Sequence, residues 1–150
     1  MTQETSPLFD AIKDVVSQAR QAAYRSSNTI LLTMYWQVGR LIVEDEQQGQ
    51  TKATYGKGTL KKLSKLLTLE FGAGFDESNL RNIRQFFLAF PIRDALRHEL
   101  SWTHYRLISR VEGATQRNQY VQLAAEGNWD TRTLQRNIQS QYVGRMLPTA

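Results

Sequence analysis

The side chains best suited to specific recognition are Arg, Asn and Gln residues that helical spacing places on common faces. In residues 74–91, the face opposite the apolar positions carries Ser78, Arg81, Asn82 and Gln85. Arg, Asn and Gln can each form two hydrogen bonds with one base edge, so this face predicts contact with DNA bases. The alternative is a solvated face on which Glu77 pairs with Arg81 four residues later.

A second stretch, residues 120–142, repeats this outline. Its outward positions are Arg132, Gln135, Arg136 and Gln139. Arg132 and Arg136 stand four residues apart, and like charges at that spacing repel each other by roughly 0.2–0.5 kcal/mol. Asp130 is the nearby acid. The two arginines are therefore expected either to be solvated or to bind an anion such as a DNA phosphate.

Four lysines precede the first of these faces and could contact phosphates: Lys57, Lys61, Lys62 and Lys65. The acid of the same predicted helix is Glu70, so the repulsion among the lysines is left to solvent or to a polyanion. Phosphate contacts would release counterions and make the affinity for DNA strongly dependent on salt. A solvated lysine face is the alternative interpretation.

The distribution of charge favours a polyanionic partner for the later part of the chain. The net charge is +5 over 150 residues. Residues 1–54 carry a net charge of −1, whereas residues 55–90 and 91–150 carry +3 each. A basic excess confined to the last two-thirds is consistent with a surface that faces nucleic acid.

Several kinds of chemistry are not expected from this sequence. Cysteine is absent, which excludes disulfides and thiolate zinc sites, and His98 and His104 are the two histidines, without metal-ligand spacing. The sequence contains no acidic pair followed by Glu-x-Lys, so it gives no indication of a two-metal nuclease core. We therefore expect no catalytic residues, metal or cofactor. No signal peptide or membrane span is predicted, and a cytoplasmic location is expected.

The elements that must position these faces are predicted to be helices. Apolar residues recur at three- and four-residue steps through residues 6–48, as one long amphipathic helix or two. Residues 49–58 are predicted to be a loop. A helix with Leu60, Leu63, Leu67 and Phe71 buried should end at the glycines of residues 72–74. Asp76 is then expected to cap a helix that buries Leu80, Ile83, Phe87 and Phe90 and ends at Pro91.

The remaining residues predict three more helices. One contains Leu107 and Ile108, another Tyr120 and Leu123, and the last runs from Asp130 to about Met146. The sequence thus predicts a compact all-α domain over residues 1–150. It contains two helix-turn-helix-like units, at residues 58–91 and 103–146, with plain helical hairpins as the alternative.

The chain also resembles the N-terminal domain of YhcG-type bacterial proteins. The resemblance rests on YWQVGR at residues 35–40, YGKG at 55–58, GFDESNLRNIRQFFLAFP at 74–91, LSWTHYRLISRV at 100–111 and NWDTRTLQRNIQSQY at 128–142. Together these blocks span about residues 12–146. The resemblance implies a helical, helix-turn-helix-like DNA-binding domain that is usually followed by a separate PD-(D/E)xK nuclease domain, which is expected to be absent here. No catalytic residue is carried over.

These observations favour a DNA-binding module that targets a nuclease domain or subunit. One alternative is a protein-interaction or homodimerisation module that uses the near-neutral amphipathic region of residues 6–48. Another is a nuclease completed by a second chain. The sequence thus gives three hypotheses, and the DNA-binding hypothesis is the one that accounts for most of the candidate residues named above.

Overall fold

In the computed structural model, residues 6–22, 27–48 and 52–146 are described, without the side chains of residues 21–22, 52–57 and 145–146. Within these ranges every regular element is helical, which confirms the predicted all-α class. The helices are α1 (Pro7–Ala22), α2 (Ser27–Gln48), α3 (Lys52–Phe71), α4 (Glu77–Ala89), α5 (Trp102–Ile108), α6 (Ala114–Glu126), α7 (Thr131–Gln139) and α8 (Tyr142–Met146). A short 3-10 turn, Arg93–Ala95, lies between α4 and α5.

The amphipathic region of residues 6–48 forms two helices, α1 and α2, and α2 lies at the centre of the fold. It packs against α1 and α4 and touches α5. Its buried residues are Leu32, Met34, Tyr35, Trp36, Val38, Gly39, Ile42 and Val43. On α1, Leu8 and Ile12 are buried, in agreement with the predicted amphipathic pattern.

Helices α2 and α4 cross closely at Gly39. A Cβ atom on Gly39 would lie 2.6 Å from the Ile83 carbonyl oxygen and 2.9 Å from Phe87 Cβ, so a side chain cannot be accommodated without movement. On the adjoining turn of α2, Trp36 Nε1 donates a 2.7 Å hydrogen bond to the Phe90 carbonyl oxygen at the end of α4. These contacts fix both the spacing of the two helices and the point at which α4 ends.

The predicted loop at residues 49–58 is wrong from Lys52 onward, because α3 begins there and continues through Gly56 and Gly58. Glycine inside a helix costs only about 1 kcal/mol relative to alanine. Burial of Leu60, Leu63 and Leu67 on the same helix offsets this cost. The glycine-rich composition of residues 49–58 therefore indicated a loop, whereas the apolar residues that follow on the same helix favour helical structure from Lys52 onward.

Helix α4 begins and ends near the predicted positions, with two differences. Gly72 has a positive φ of 84°, which confirms that glycine closes α3. Asp76 occupies the N-cap position, but its side chain forms no capping hydrogen bond. Phe86 is fully buried, whereas the prediction placed Phe87 inside; Phe87 is only partly buried and packs edge-on against Trp36.

The predicted helix from Asp130 to Met146 is wrong in its continuity, because residues 140–141 divide it into α7 and α8. Gln141 has a φ of 57°, in the left-handed region. The Tyr120 hydroxyl bridges the break by accepting a 3.2 Å hydrogen bond from the Val143 amide and donating one of 3.4 Å to the Asn137 carbonyl oxygen. This hydroxyl replaces part of the interrupted backbone ladder. The side chain of Met146 lies outside the described residues.

Candidate nucleic-acid interface

Helix α7 begins at a well-formed cap. Asp130 is extended, with φ −74° and ψ 173°, and its Oδ1 accepts a 2.7 Å hydrogen bond from the Thr133 amide. Asp130 is therefore the N-cap residue of α7. Leu134 is fully buried, and Ile138 packs against the same core. Burial of this face turns the opposite side of α7 towards solvent.

The outer face of α7 carries two positive charges. Arg132, Gln135 and Arg136 are all exposed or half-exposed, as the spacing predicted. In the described part of the chain, neither arginine forms a salt bridge. The hydrogen bonds from Thr133, and to a smaller extent the charges of Arg132 and Arg136, lower the pKa of Asp130. The acid beside the arginines is thus committed to capping the helix.

Helix α7 is held in place by α5, α6 and α8. It packs against α5 and α8. Just before α7, the Trp129 carbonyl oxygen lies 2.8 Å from His104 Nε2 of α5, and the Trp129 ring packs edge-on against Tyr142 of α8 at 5.2 Å. At the other end of α7, the Tyr120 hydroxyl of α6 contacts the Asn137 carbonyl oxygen. Both ends of a nine-residue helix are therefore anchored.

The polar face of α4 has intramolecular partners. Arg81 donates a 2.5 Å hydrogen bond to Glu77, which matches the alternative interpretation of the sequence. Asn82 Oδ1 accepts a 2.8 Å hydrogen bond from Arg110, and Gln85 Nε2 donates one of 3.3 Å to the Ser109 carbonyl oxygen. Each of these three side chains, predicted to contact a base, already has one polar atom engaged within the protein.

The lysines of α3 lie on the surface. Lys61, Lys62 and Lys65 are all exposed, while the side chain of Lys57 lies outside the described residues. Glu70 forms a 3.2 Å salt bridge with Lys13 of α1 and is exposed on the surface. Glu70, the acid of the same helix, therefore pairs with a lysine of another helix, and this agrees with the expectation that the charge of Lys61, Lys62 and Lys65 is left to solvent or to an anion.

Comparison with known proteins gives the family of the chain. Residues 11–145 match the family described as the DUF1016 N-terminal domain. The chain belongs to this family. It is also 32% identical over 173 aligned residues to a protein of Escherichia coli (strain K12) named "Putative nuclease YhcG", an alignment that covers 93% of this chain and 46% of that protein. The chain spans about half the length of the curated relative that it matches. No solved structure matches it.

The structure of this DUF1016 N-terminal domain also brings forward two residues that sequence reasoning did not assign to the site. Arg110, exposed just after α5, adds a positive charge beside Asn82. His104 is 9% exposed and links α5 to the start of α7. Its position three residues after Ser101 is the spacing of a capping box, and that signal could have been recognised in the sequence.

The histidines of this DUF1016 N-terminal domain serve as hydrogen-bonding groups. His98 contacts Thr29, and His104 contacts Ser101 and Trp129. The described residues contain no group of three or more His, Asp or Glu side chains placed to hold a metal ion. Within the same ranges, no helix combines the length and the apolar character that crossing a bilayer requires.

Proposed function

We propose that this domain binds DNA through the outer face of α7 and thereby targets a nuclease domain or subunit. The observation that carries the proposal is the solvent-facing position of Arg132, Gln135 and Arg136 on one face, where neither arginine has a salt bridge in the described chain. Arginine forks match phosphate oxygens and guanine edges, and Gln135 can pair with adenine. The lysines of α3, Lys61, Lys62 and Lys65, are proposed as additional phosphate contacts.

The arrangement of α7 favours an anion for electrostatic reasons. Two like charges one helical turn apart destabilise the isolated helix slightly, and a phosphate between them would remove this repulsion. Arg132 also lies in the first turn, where the helix macrodipole adds a partial positive charge. DNA contact would therefore relieve a repulsion that the free domain carries in solvent.

The α4 residues have a different role in this proposal. Asn82 and Gln85 connect α4 to Arg110 and to the Ser109 carbonyl group, and Arg81 pairs with Glu77 of the same helix. Exchanging such contacts for bases would leave partners behind that must find water instead. We therefore assign α4 to support of the fold and α7 to contact with DNA.

The association with a nuclease rests on the relatives. The matched protein is named "Putative nuclease YhcG", and the present chain covers 46% of it. The YhcG-type resemblance implies a PD-(D/E)xK domain after this one. A targeting domain that holds such a nuclease on DNA needs phosphate contacts but no acidic cluster of its own.

The alternative of a dimerisation surface on α1 and α2 has less support. The apolar residues that motivated it are used inside the domain, since Ile12 and Val16 of α1 and Val38 of α2 are fully buried. Among the described residues, the large apolar side chains that remain exposed are Leu69, Leu88 and Ile92, which lie outside α1 and α2. These buried apolar residues of α1 and α2 are thus part of the core and not available for pairing.

The proposal is tested by measuring duplex binding at several salt concentrations by fluorescence anisotropy. We expect the wild-type domain to bind, with an affinity that falls steeply as salt rises. The double variant Arg132→Gln with Arg136→Gln should bind about 10- to 100-fold more weakly, and its salt slope should fall by about 0.9 for each phosphate that it no longer neutralises.

The single variants Arg132→Gln and Arg136→Gln are measured alongside the double variant, and Arg93→Gln is their matched control. Arg93 is exposed, and its contact with Asp94 is a long 4.0 Å. The substitution removes the same charge away from α7, so binding should change less than twofold. A wild-type domain that does not bind duplex DNA, or binds it with an affinity indifferent to salt, would contradict the proposed function.

A further inference from the structure

His104 uses both nitrogens of its buried ring to connect two helices. Its Nδ1 lies 3.1 Å from the Ser101 backbone nitrogen and 2.8 Å from Ser101 Oγ, at the N-cap of α5. Its Nε2 lies 2.8 Å from the Trp129 carbonyl oxygen, one residue before the cap of α7. A single side chain thus joins the beginning of α5 to the beginning of α7.

The partners determine where the ring carries its proton. A backbone N–H can only donate, so Nδ1 must accept from Ser101. A carbonyl oxygen can only accept, so Nε2 must carry the hydrogen and donate it to Trp129. In this structure His104 is therefore the neutral Nε2–H tautomer, with a defined donor directed at the turn that precedes α7.

The Trp129 turn leads directly into α7. Its amide donates a 3.0 Å hydrogen bond to the Ala124 carbonyl oxygen, and Asn128 before it has a positive φ of 53°. The Trp129 carbonyl group, which His104 holds, lies one residue before Asp130, the cap of α7, and three residues before Arg132. The hydrogen bond from His104 therefore acts on the peptide unit that sets the direction in which α7 leaves the turn and presents its arginines.

We propose that His104 is the positioning residue of the DNA-contact helix, acting through the hydrogen bond from Nε2 to the Trp129 carbonyl group. This inference rests on the proposed function of α7. It assigns a role that the exposed residues cannot fill, because they contact DNA but do not set the orientation of their own helix. His104 itself is buried, so its role is to position α7 and not to contact DNA.

Two amide substitutions distinguish the role of Nδ1 from the role of Nε2. In His104→Asn, the amide oxygen can take the position of Nδ1 and accept from Ser101, but the side chain is too short to reach Trp129. In His104→Gln, the longer side chain can place its amide N–H near the position of Nε2 and donate to Trp129. The first variant keeps the cap of α5 without the link to Trp129, whereas the second keeps the link.

Duplex binding of both variants, compared with wild type under conditions where urea denaturation shows all three to be folded, tests the inference. We expect His104→Asn to bind about 3- to 10-fold more weakly, an effect of the size of one hydrogen bond, and His104→Gln to remain within about twofold of wild type. Amide NMR shifts of residues 131–139 in the free protein should move in His104→Asn and be largely retained in His104→Gln.

The outcomes distinguish this inference from the proposed function. Wild-type binding with unchanged affinity in His104→Asn would overturn the positioning role and leave the DNA contact of α7 intact. Equal weakening in both variants would also overturn it, because rescue by the longer amide is the specific expectation. Absence of wild-type duplex binding would remove the proposed function, and the positioning role with it.

Discussion

Helices α4 and α7 have the same sequence outline but different surroundings. Each follows a glycine-containing turn, has an aspartate at its N-cap and directs cations away from its apolar positions. The polar groups of α4 contact Glu77, Arg110 and the Ser109 carbonyl group, whereas the arginines of α7 have no salt-bridge partner in the described chain. A polar face inferred from helical spacing is therefore more readily available to a ligand where its side chains have no partner within the protein.

The difference arises from where each helix lies. Helix α4 packs against α2, α3 and α5, so it is surrounded by elements that can supply polar partners. Helix α7 packs against α5 and α8 and carries a single fully buried side chain, Leu134. A central helix is used to build the core, and a peripheral helix is left with a face for binding.

The largest expected effect tests the interior role of α4. Phe86 is fully buried and packs against Trp102 at 5.2 Å and Tyr105 at 5.3 Å. Phe86→Ala should lower the free energy of unfolding by about 3–5 kcal/mol, measured by urea denaturation. Phe87→Ala is the control one residue along, and it should cost clearly less because Phe87 is only partly buried. Equal costs would mean that the assigned inner face of α4 is wrong.

A second substitution tests how α4 is fixed to α2. Arg84 donates two hydrogen bonds to Glu46, of 2.6 and 3.0 Å, and the Glu46 side chain is 13% exposed. Glu46→Gln should lower the free energy of unfolding by about 1–3 kcal/mol, because it breaks a bidentate, partly buried charge pair.

Glu44→Gln provides the matched control on the same helix. Glu44 pairs with Arg40 in an exposed i,i+4 arrangement, which contributes only about 0.3–0.5 kcal/mol. A cost for Glu46→Gln as small as that for Glu44→Gln would show that the α2–α4 link contributes little, and the contrast between α4 and α7 would weaken.

The smallest expected effect concerns pH and the cap of α7. Because the pKa of Asp130 is lowered in the folded state, its stabilising contribution is present above its ordinary pKa and disappears as pH falls through the lowered value. Asp130→Asn keeps a capping oxygen and should remove this part of the acid dependence, whereas Asp130→Ala should also remove the cap.

Thermal unfolding between about pH 2 and pH 7 would measure this effect, since the range spans the titration of the carboxyl group. A neutral-pH stability of Asp130→Ala equal to that of Asp130→Asn would contradict the capping role. Asp130→Asn should in addition bind duplex DNA slightly more tightly, because it removes a negative charge beside Arg132 and Arg136.

The helices themselves were largely predictable from local signals. Gly72 ends α3, Pro91 follows α4 and Asp130 caps α7, and each of these acts within one helical turn. Helix α3 extends into residues predicted as a loop because burial of its apolar face outweighs the cost of its glycines. The break at Gln141 depends on the Tyr120 hydroxyl group, which is distant in sequence and left no local signal.

The candidate site was predictable only in its residue types. Spacing placed Arg81 and Arg132 on equivalent outward faces, and both reach the surface. Arg110 reaches Asn82 from 28 residues away, and His104 reaches Trp129 from 25. Such contacts follow from the packing of α5 between α4 and α7, which helical periodicity does not encode.

The most direct test of the contrast is the salt dependence of duplex binding in two single variants, Arg132→Gln on α7 and Arg81→Gln on α4. Both remove one charge from a surface arginine. We expect Arg132→Gln to weaken binding about 3- to 10-fold and to lower the salt slope by about 0.9. Arg81→Gln should weaken binding less than twofold and leave the salt slope nearly unchanged. An effect of Arg81→Gln on affinity and salt slope equal to or larger than that of Arg132→Gln would contradict the assignment of α7 as the DNA-contact helix.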